Sequence, residues 1–424
     1  MSRKIMLLSV LIVLGLIISL NFLLGSSGKK IKETDNTEDI ITEHNSTEDG
    51  TITDGTTKDG VTKDGVTKDE TTKDETEENI TTQWELKPSF KYDVLCFLNT
   101  LVGDEYYLRF YQKEYDRLYP TFTPEVTSAL EELSLIRSEK KVIIGAYLSN
   151  VFSKTDDETL EDMIETLSGD YTAILGEVEE TEEIKQQREI IEGDLITVFR
   201  FLQDNNFKGY WEENILPLIE KRIREVKNIG ISQYDILPEI EKYTGIDLQS
   251  DTITIYFLNF AQPHGIKIEG TNYITDISYD FKTVVSNAIH EMIHSPFQAD
   301  NSEFIAARAK LEKDEFITKM MYSQDQTHGY TSYESYFEEN CVDALEVLIR
   351  AKFNCMQGDA GTYLKTHDGG ADGLAIAIYS LIKQDDFSSR GVTFQEFIID
   401  EINNGELASG KVEDTYNEFM NEVE

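Results

Sequence analysis

His290-Glu291-Met292-Ile293-His294 is the run of residues on which the reading of this chain turns. Two histidines four residues apart on a helix lie about 40° apart around its axis, because each residue turns roughly 100°. Both imidazoles then reach one metal ion. Glu291 projects from the same turn toward the water that such a metal would hold. The spacing is that of a zinc-hydrolase helix, and Zn²⁺ is the expected cofactor.

The neighbours of the motif support a buried helix. Val284, Val285, Ala288 and Ile289 precede it, Met292 and Ile293 fill its variable places, and no charge interrupts residues 284–289. A surface helix with an incidental His-Glu pair would carry Lys and Glu there. Pro296 biases Ser295 away from the helical region, so the helix is expected to end almost at His294.

A catalytic zinc takes three protein ligands and keeps one open position. Phe297 and Asp300 stand where an extended H-E-x-x-H-x-x-G-x-x-H motif has Gly and His, so the third ligand is expected to be a carboxylate. The stretch Ser332–Met356 reads as one long helix carrying Glu338, Glu339 and Asp343. Glu339 and Asp343 are four apart and face the same way. That spacing suits a Glu ligand followed, one turn on, by an Asp that accepts the free ring N–H of a ligating histidine. Glu338 is the alternative ligand.

The pair of motifs, His290-Glu291-x-x-His294 and Glu339-x-x-x-Asp343, resembles the gluzincin metallopeptidases, the thermolysin-like superfamily. The resemblance implies zinc held by His290, His294 and Glu339, with Asp343 supporting a ligand ring. It also implies a zincin-like core in which a small sheet precedes the zinc helix and its edge strand pairs with an extended substrate. Thermolysin itself has Asn where this chain has Glu338. More loosely, residues from Asp93 to Leu381 resemble a group of uncharacterised secreted H-E-x-x-H proteins.

The charge balance bounds the partners. The chain has 424 residues and a net charge of −41, with a pI of about 4.4. A phosphate-tracking surface needs excess Lys and Arg, so nucleic acid is excluded as an electrostatic partner. No D-x-[DN]-x-[DN]-G calcium loop is present. The three cysteines, Cys96, Cys341 and Cys355, do not make a disulfide framework. Cys341, inside the proposed ligand helix, reads as a small buried residue, with a thiolate zinc ligand as the lesser alternative.

Four segments are expected. Residues 1–28 read as an N-terminal membrane anchor or signal segment: Ser2-Arg3-Lys4 is a basic start, and Ile5–Leu24 is an almost wholly apolar run long enough to cross a bilayer. This predicts a membrane partner and placement on the extracellular face of the cell membrane, or secretion if the segment is cleaved. Residues 29–83 read as a disordered acidic linker with a five-residue repeat, Thr57–Val61 and Thr62–Val66 followed by Thr67–Thr71 and Thr72–Thr76. Asn45 and Asn79 head glycosylation sequons.

Residues 84–228 read as mostly helical, and 229–424 as the catalytic part. A helix starts at Pro124 behind Thr123 as its cap. Apolar spacing suggests another over Trp211–Val226. Asp251–Asn259, Ile266–Glu269 and Tyr273–Tyr279 read as three strands feeding the histidine helix, with Asn272–Asp280 as the candidate edge. Helices return at Glu303–Met321, Ser332–Met356, Leu374–Lys383 and Phe394–Asn403, and the last residues read as a frayed acidic tail. The fold class is therefore α+β, predominantly helical, with a small sheet before a zinc-binding helix pair.

The function these features predict is a zinc metallopeptidase acting on a peptide or protein substrate, with Glu291 as general base. His367 is the first candidate for a further oxyanion donor; His328, Tyr330, Tyr333 and Tyr336 are the others. The competing readings are a zinc-stabilised surface binding or scaffold domain without activity, and a zinc hydrolase of non-peptide amides.

Overall fold

Four strands build one mixed sheet: β1 (Gln83–Pro88), β2 (Thr252–Leu258), β3 (Ile266–Lys267) and β4 (Asn272–Asp276), in the order β1-β2-β4-β3. The computed structural model describes residues 80–140, 143–169, 182–294, 301–324, 332–356 and 358–421. Strand β2 forms where β-branched and aromatic residues alternate, and it buries Ile253, Ile255 and Phe257 completely. It runs parallel to β1, from Gln83↔Thr252 to Pro88↔Phe257, and parallel to β4, from Thr254↔Asn272 to Leu258↔Asp276. Strand β3 is antiparallel to β4, with Ile266 opposite Ile274. The expected edge, Asn272–Asp280, therefore lies inside the sheet as β4, and the edges are β1 and β3.

Among the described residues nine α-helices lie between β1 and β2: α1 (Phe90–Leu101), α2 (Glu105–Leu118), α3 (Pro124–Lys140), α4 (Ile144–Phe152), α5 (Leu160–Ser168), α6 (Glu182–Asp204), α7 (Phe207–Asn214), α8 (Leu216–Ile229) and α9 (Ile236–Thr244). After β4 come α10 (Phe281–His294), α11 (Ser302–Arg308), α12 (Glu315–Ser323), α13 (Tyr333–Lys352), α14 (Ala360–Thr366), α15 (Gly373–Gln384), α16 (Phe394–Asn404) and α17 (Lys411–Asn421). The chain is α+β and predominantly helical. The described residues fall in one compact unit, and the sheet draws β1 from the N-terminal part and its other strands from the C-terminal part.

Local chemistry explains most boundaries. Thr123 accepts from the Val126 amide at the start of α3. The stripe over Trp211–Val226 is divided between α7 and α8, because Pro217 has no N–H and sits best in a first turn. The expected single helix over Glu303–Met321 is likewise two. Asp314 caps a new start by accepting from the Ile317 amide. Residues Lys411–Asn421 are not a frayed tail: they form α17, which packs on α15, and the Tyr416 hydroxyl donates to the Gly370 carbonyl. The folded part also begins slightly earlier than expected, with the Thr81 and Thr82 amides donating to Asp235.

A buried carboxylate ties the helical part to the loop that joins β2 to β3. Asp93, fully buried on α1, accepts from Trp211 Nε1 at 2.6 Å and from the Asn259 and Phe260 amides at 2.9 Å each. Asp276 accepts from the Gln262 amide at 2.9 Å and from the Tyr111 hydroxyl at 3.1 Å. The loop from Asn259 to Gly265 is thereby pinned at its start and at its middle.

The expectation of a transmembrane, membrane-anchored protein on the extracellular face is corrected here. Among the described residues no helix is long and apolar enough to cross a membrane. A span needs about 20 mostly apolar residues. The 23-residue α6 and the 20-residue α13 have the length, but both are interrupted by Glu, Lys, Arg and Asp. The apolar run Ile5–Leu24, the linker repeats and the sequons lie outside the described residues, and no membrane role is carried forward.

Candidate metal centre

Helix α10 buries one face completely: Val284, Val285, Ala288, Ile289, Met292 and Ile293 all have 0 % exposure. Its start is fixed by Asp280, whose carboxylate accepts from the Thr283 amide. The Tyr273 hydroxyl of β4 donates to the Val284 carbonyl and binds the helix to the sheet. Packing of that apolar face turns His290 and His294 toward α13. Helix α13 begins at a reciprocal Ser332/Ser335 capping box. It presents Glu339, Asp343, Glu346 and Arg350, spaced 4, 3 and 4 residues apart and so on one face.

The two helices bring three donor atoms together. His290 Nε2 lies 3.2 Å from His294 Nε2. Glu339 reaches both, with Oε1 3.1 Å from His290 Nε2 and Oε2 3.5 Å from His294 Nε2. Donors around a tetrahedral zinc, each at about 2.0–2.1 Å, stand about 3.3 Å from one another. The observed triangle has that size.

The outward ring nitrogens decide what the inward ones offer. His290 Nδ1 is 3.0 Å from Glu346 Oε2. Glu346 also accepts from Arg350 Nη1 at 2.6 Å and from the Tyr363 hydroxyl at 3.0 Å. Burial alone would push its carboxyl up, but the Arg350 guanidinium and the His290 ring hold it well below the usual carboxylate range. An ionised carboxylate only accepts, so His290 Nδ1 carries the proton and donates. In the neutral ring, Nε2 then presents a lone pair. His294 Nδ1 meets Glu338 in the same way at 3.2 Å. Two imidazole lone pairs and a carboxylate thus converge, and positive charge is needed among them. The protein alone answers with protons. Burial pushes both rings down, but Glu339 and Glu346 raise His290 well above its ordinary value, and Glu338 and Glu339 raise His294. A divalent cation bound by the same atoms answers the same need.

Glu291 is set apart from this triangle. It is 7 % exposed, and among the described residues its carboxylate has no hydrogen-bond partner. Burial raises its pKa, against the lowering influence of His290 and His294. The backbone at Gly265 approaches it closely. A Cβ there would sit 3.0 Å from Glu291 Oε1 and 3.2 Å from Asn287 Nδ2, so glycine is what lets the pinned loop reach the motif.

The sequence-based assignments fare differently. His290, His294 and Glu339 come together as expected. Glu338 pairs with the outer nitrogen of His294. Asp343, expected to accept a ring N–H, lies 4.0 Å from His290 Nδ1, beyond hydrogen-bond reach. Glu346 takes that contact, and Arg350 and Tyr363 hold it there. Neither Glu346 nor its partners were anticipated, although Glu339, Asp343, Glu346 and Arg350 form a legible stripe. His367 donates or accepts at Asp372 Oδ2 over 2.6 Å and stacks on Tyr363 at 4.7 Å. No hydrogen bond or ion pair among the described residues joins it to the His290–His294–Glu339 triangle. The Tyr333 and Tyr336 hydroxyls donate to the Arg308 and Ala371 carbonyls, while His328 and Tyr330 lie outside the described residues. The Cys341 thiol is buried, and burial pushes its pKa well up, against a thiolate role. All three cysteines are free.

Compared with protein-family models, curated proteins and solved structures, the chain matches none of them. The argument for function accordingly rests on the site itself.

Proposed function

We propose that this chain is a zinc-dependent metallopeptidase with a zincin-like core, hydrolysing peptide bonds in a peptide or protein substrate. The observation that carries the reading is the convergence of His290 Nε2, His294 Nε2 and Glu339 at tetrahedral-edge distances, with both Nδ1 atoms committed outward. The set holds three protein donors, the number found in catalytic zinc sites; structural sites close with four. That count favours chemistry over a scaffold role.

Zinc bound there supplies Lewis acidity, acidifying water and polarising a substrate carbonyl. The remaining work falls to the protein's own groups. Glu346 fixes the tautomer and orientation of His290, and Glu338 does so for His294. Glu291, buried and without a competing hydrogen bond, accepts the proton of the attacking water at a carboxylate oxygen and delivers it to the leaving nitrogen. Burial raises its pKa above the ordinary carboxyl value, which favours proton uptake. Strand β3 is an edge of the sheet and packs beside α10. An extended peptide adds to such an edge through main-chain hydrogen bonds.

The test combines metal analysis with a peptide digest. The wild-type chain should bind zinc and cleave a peptide library, and Glu291→Gln should keep the zinc and lose cleavage. Stoichiometric zinc with no cleavage of any peptide would overturn the peptidase reading.

A further inference from the structure

Asp343 stands one turn beyond Glu339 on α13 and is 1 % exposed. Neither of its carboxylate oxygens has a hydrogen-bond partner among the described residues. The nearby His290 Nδ1 is already given to Glu346. A buried carboxylate without partners is among the costliest groups a fold can carry. It lies beside two groups that look the same way: Asp343, His367 and Asp372 each offer one ligand atom within 4.8 Å of the other two.

These partners are built rather than incidental. Asp372 is 1 % exposed; its Oδ1 accepts from Gln324 Nε2 at 3.2 Å and its Oδ2 lies 2.6 Å from His367 Nδ1. Stacking on Tyr363 fixes the plane of the His367 ring.

We infer that Asp343, His367 and Asp372 form a second divalent-cation site, next to the first along α13. One imidazole nitrogen with two carboxylates suits a transition ion such as Zn²⁺ or Mn²⁺ better than Ca²⁺ or Mg²⁺, which take oxygen ligands. Neither an ion at the first centre nor the peptidase activity enters this inference.

Metal stoichiometry of the full chain tests it, by equilibrium dialysis against Zn²⁺ or Mn²⁺ followed by elemental analysis. The wild type should bind two equivalents. Asp372→Asn and Asp343→Asn, both near-isosteric, should each bind one. The double variant His290→Ala/His294→Ala should also bind one, and adding Asp372→Asn to it should leave none. A single equivalent in the wild type, or two retained by Asp372→Asn, would overturn the second site. Two equivalents retained by the His290→Ala/His294→Ala variant would instead refute the first centre, so the two claims fail separately.

Discussion

Replacing Glu346 with Gln separates the role of this residue from that expected of Asp343. In the native site Glu346 Oε2 faces the His290 Nδ1–H, while Oε1 faces Arg350 and the Tyr363 hydroxyl. A glutamine has one acceptor oxygen for these two sides. Arg350 and Tyr363 together claim it, and the amide NH₂ is turned toward His290. The ring then moves its proton to Nε2, the atom that faces Glu339 and His294, and its lone pair is lost to the metal. Removing such an orienting partner costs about 10–100-fold in metal affinity, or roughly 1.4–2.8 kcal/mol at 1.4 kcal/mol per tenfold. Zinc affinity is read by competition with a chromophoric chelator, on protein whose fold is verified by circular dichroism. Glu346→Gln should weaken zinc binding at the first centre by at least tenfold. The reasoning is refuted if Glu346→Gln binds zinc there within twofold of the wild type while Asp343→Asn shows the large loss.

Four further outcomes follow from the same geometry. Glu291→Gln should lose about 10²–10⁴-fold in peptide hydrolysis, the usual worth of a general base, with zinc content unchanged; steady-state kinetics beside elemental analysis decides it. Asp93→Asn places an amide NH₂ against Trp211 Nε1–H in place of the acceptor now 2.6 Å away, and should cost about 1–3 kcal/mol in urea denaturation. A loss under 0.5 kcal/mol, on the order of a typical surface substitution, would mean the contact is not as drawn. Burial holds the Lys267 amine down at about 8, below its unfolded value. Between those two pKa values the unfolded chain binds the extra proton, so stability should rise from about pH 8 toward pH 10.4; Lys267→Met should lack this rise when urea midpoints are compared. Chelation should lower the melting temperature, and zinc should restore it in a concentration-dependent way, because a ligand of the native state stabilises by RT ln(1 + [L]/Kd).

The parts legible in the sequence were those set by local spacing. The H-E-x-x-H run, the apolar residues around it and the four-residue step from Glu339 to Asp343 led to two helices whose acidic and imidazole faces meet. The β-branched run of β2 and the Thr123–Pro124 helix start were equally plain. What escaped was set by distant partners. Strand β1 is six residues long and pairs with a strand some 170 positions away, so nothing in Gln83–Pro88 announces it. The interior place of β4 follows from β1, β2 and β3 together. Asp343 and Glu346 share a helix face, and only the depth and rotation of α10 against α13 decide which of them meets His290. The position of His367 was likewise inaccessible, because its Gly-rich turn carries no periodicity that fixes where the ring points.

The central claim is that two imidazoles from α10 and one carboxylate from α13 grip a single zinc ion. Anomalous diffraction at the zinc edge, from crystals of the full chain grown with zinc, tests it most directly. The account predicts a strong peak bonded to His290 Nε2, His294 Nε2 and a Glu339 oxygen, each at about 2.0–2.2 Å. A density map with no peak among these three atoms, or with Glu338 in place of Glu339, would contradict it.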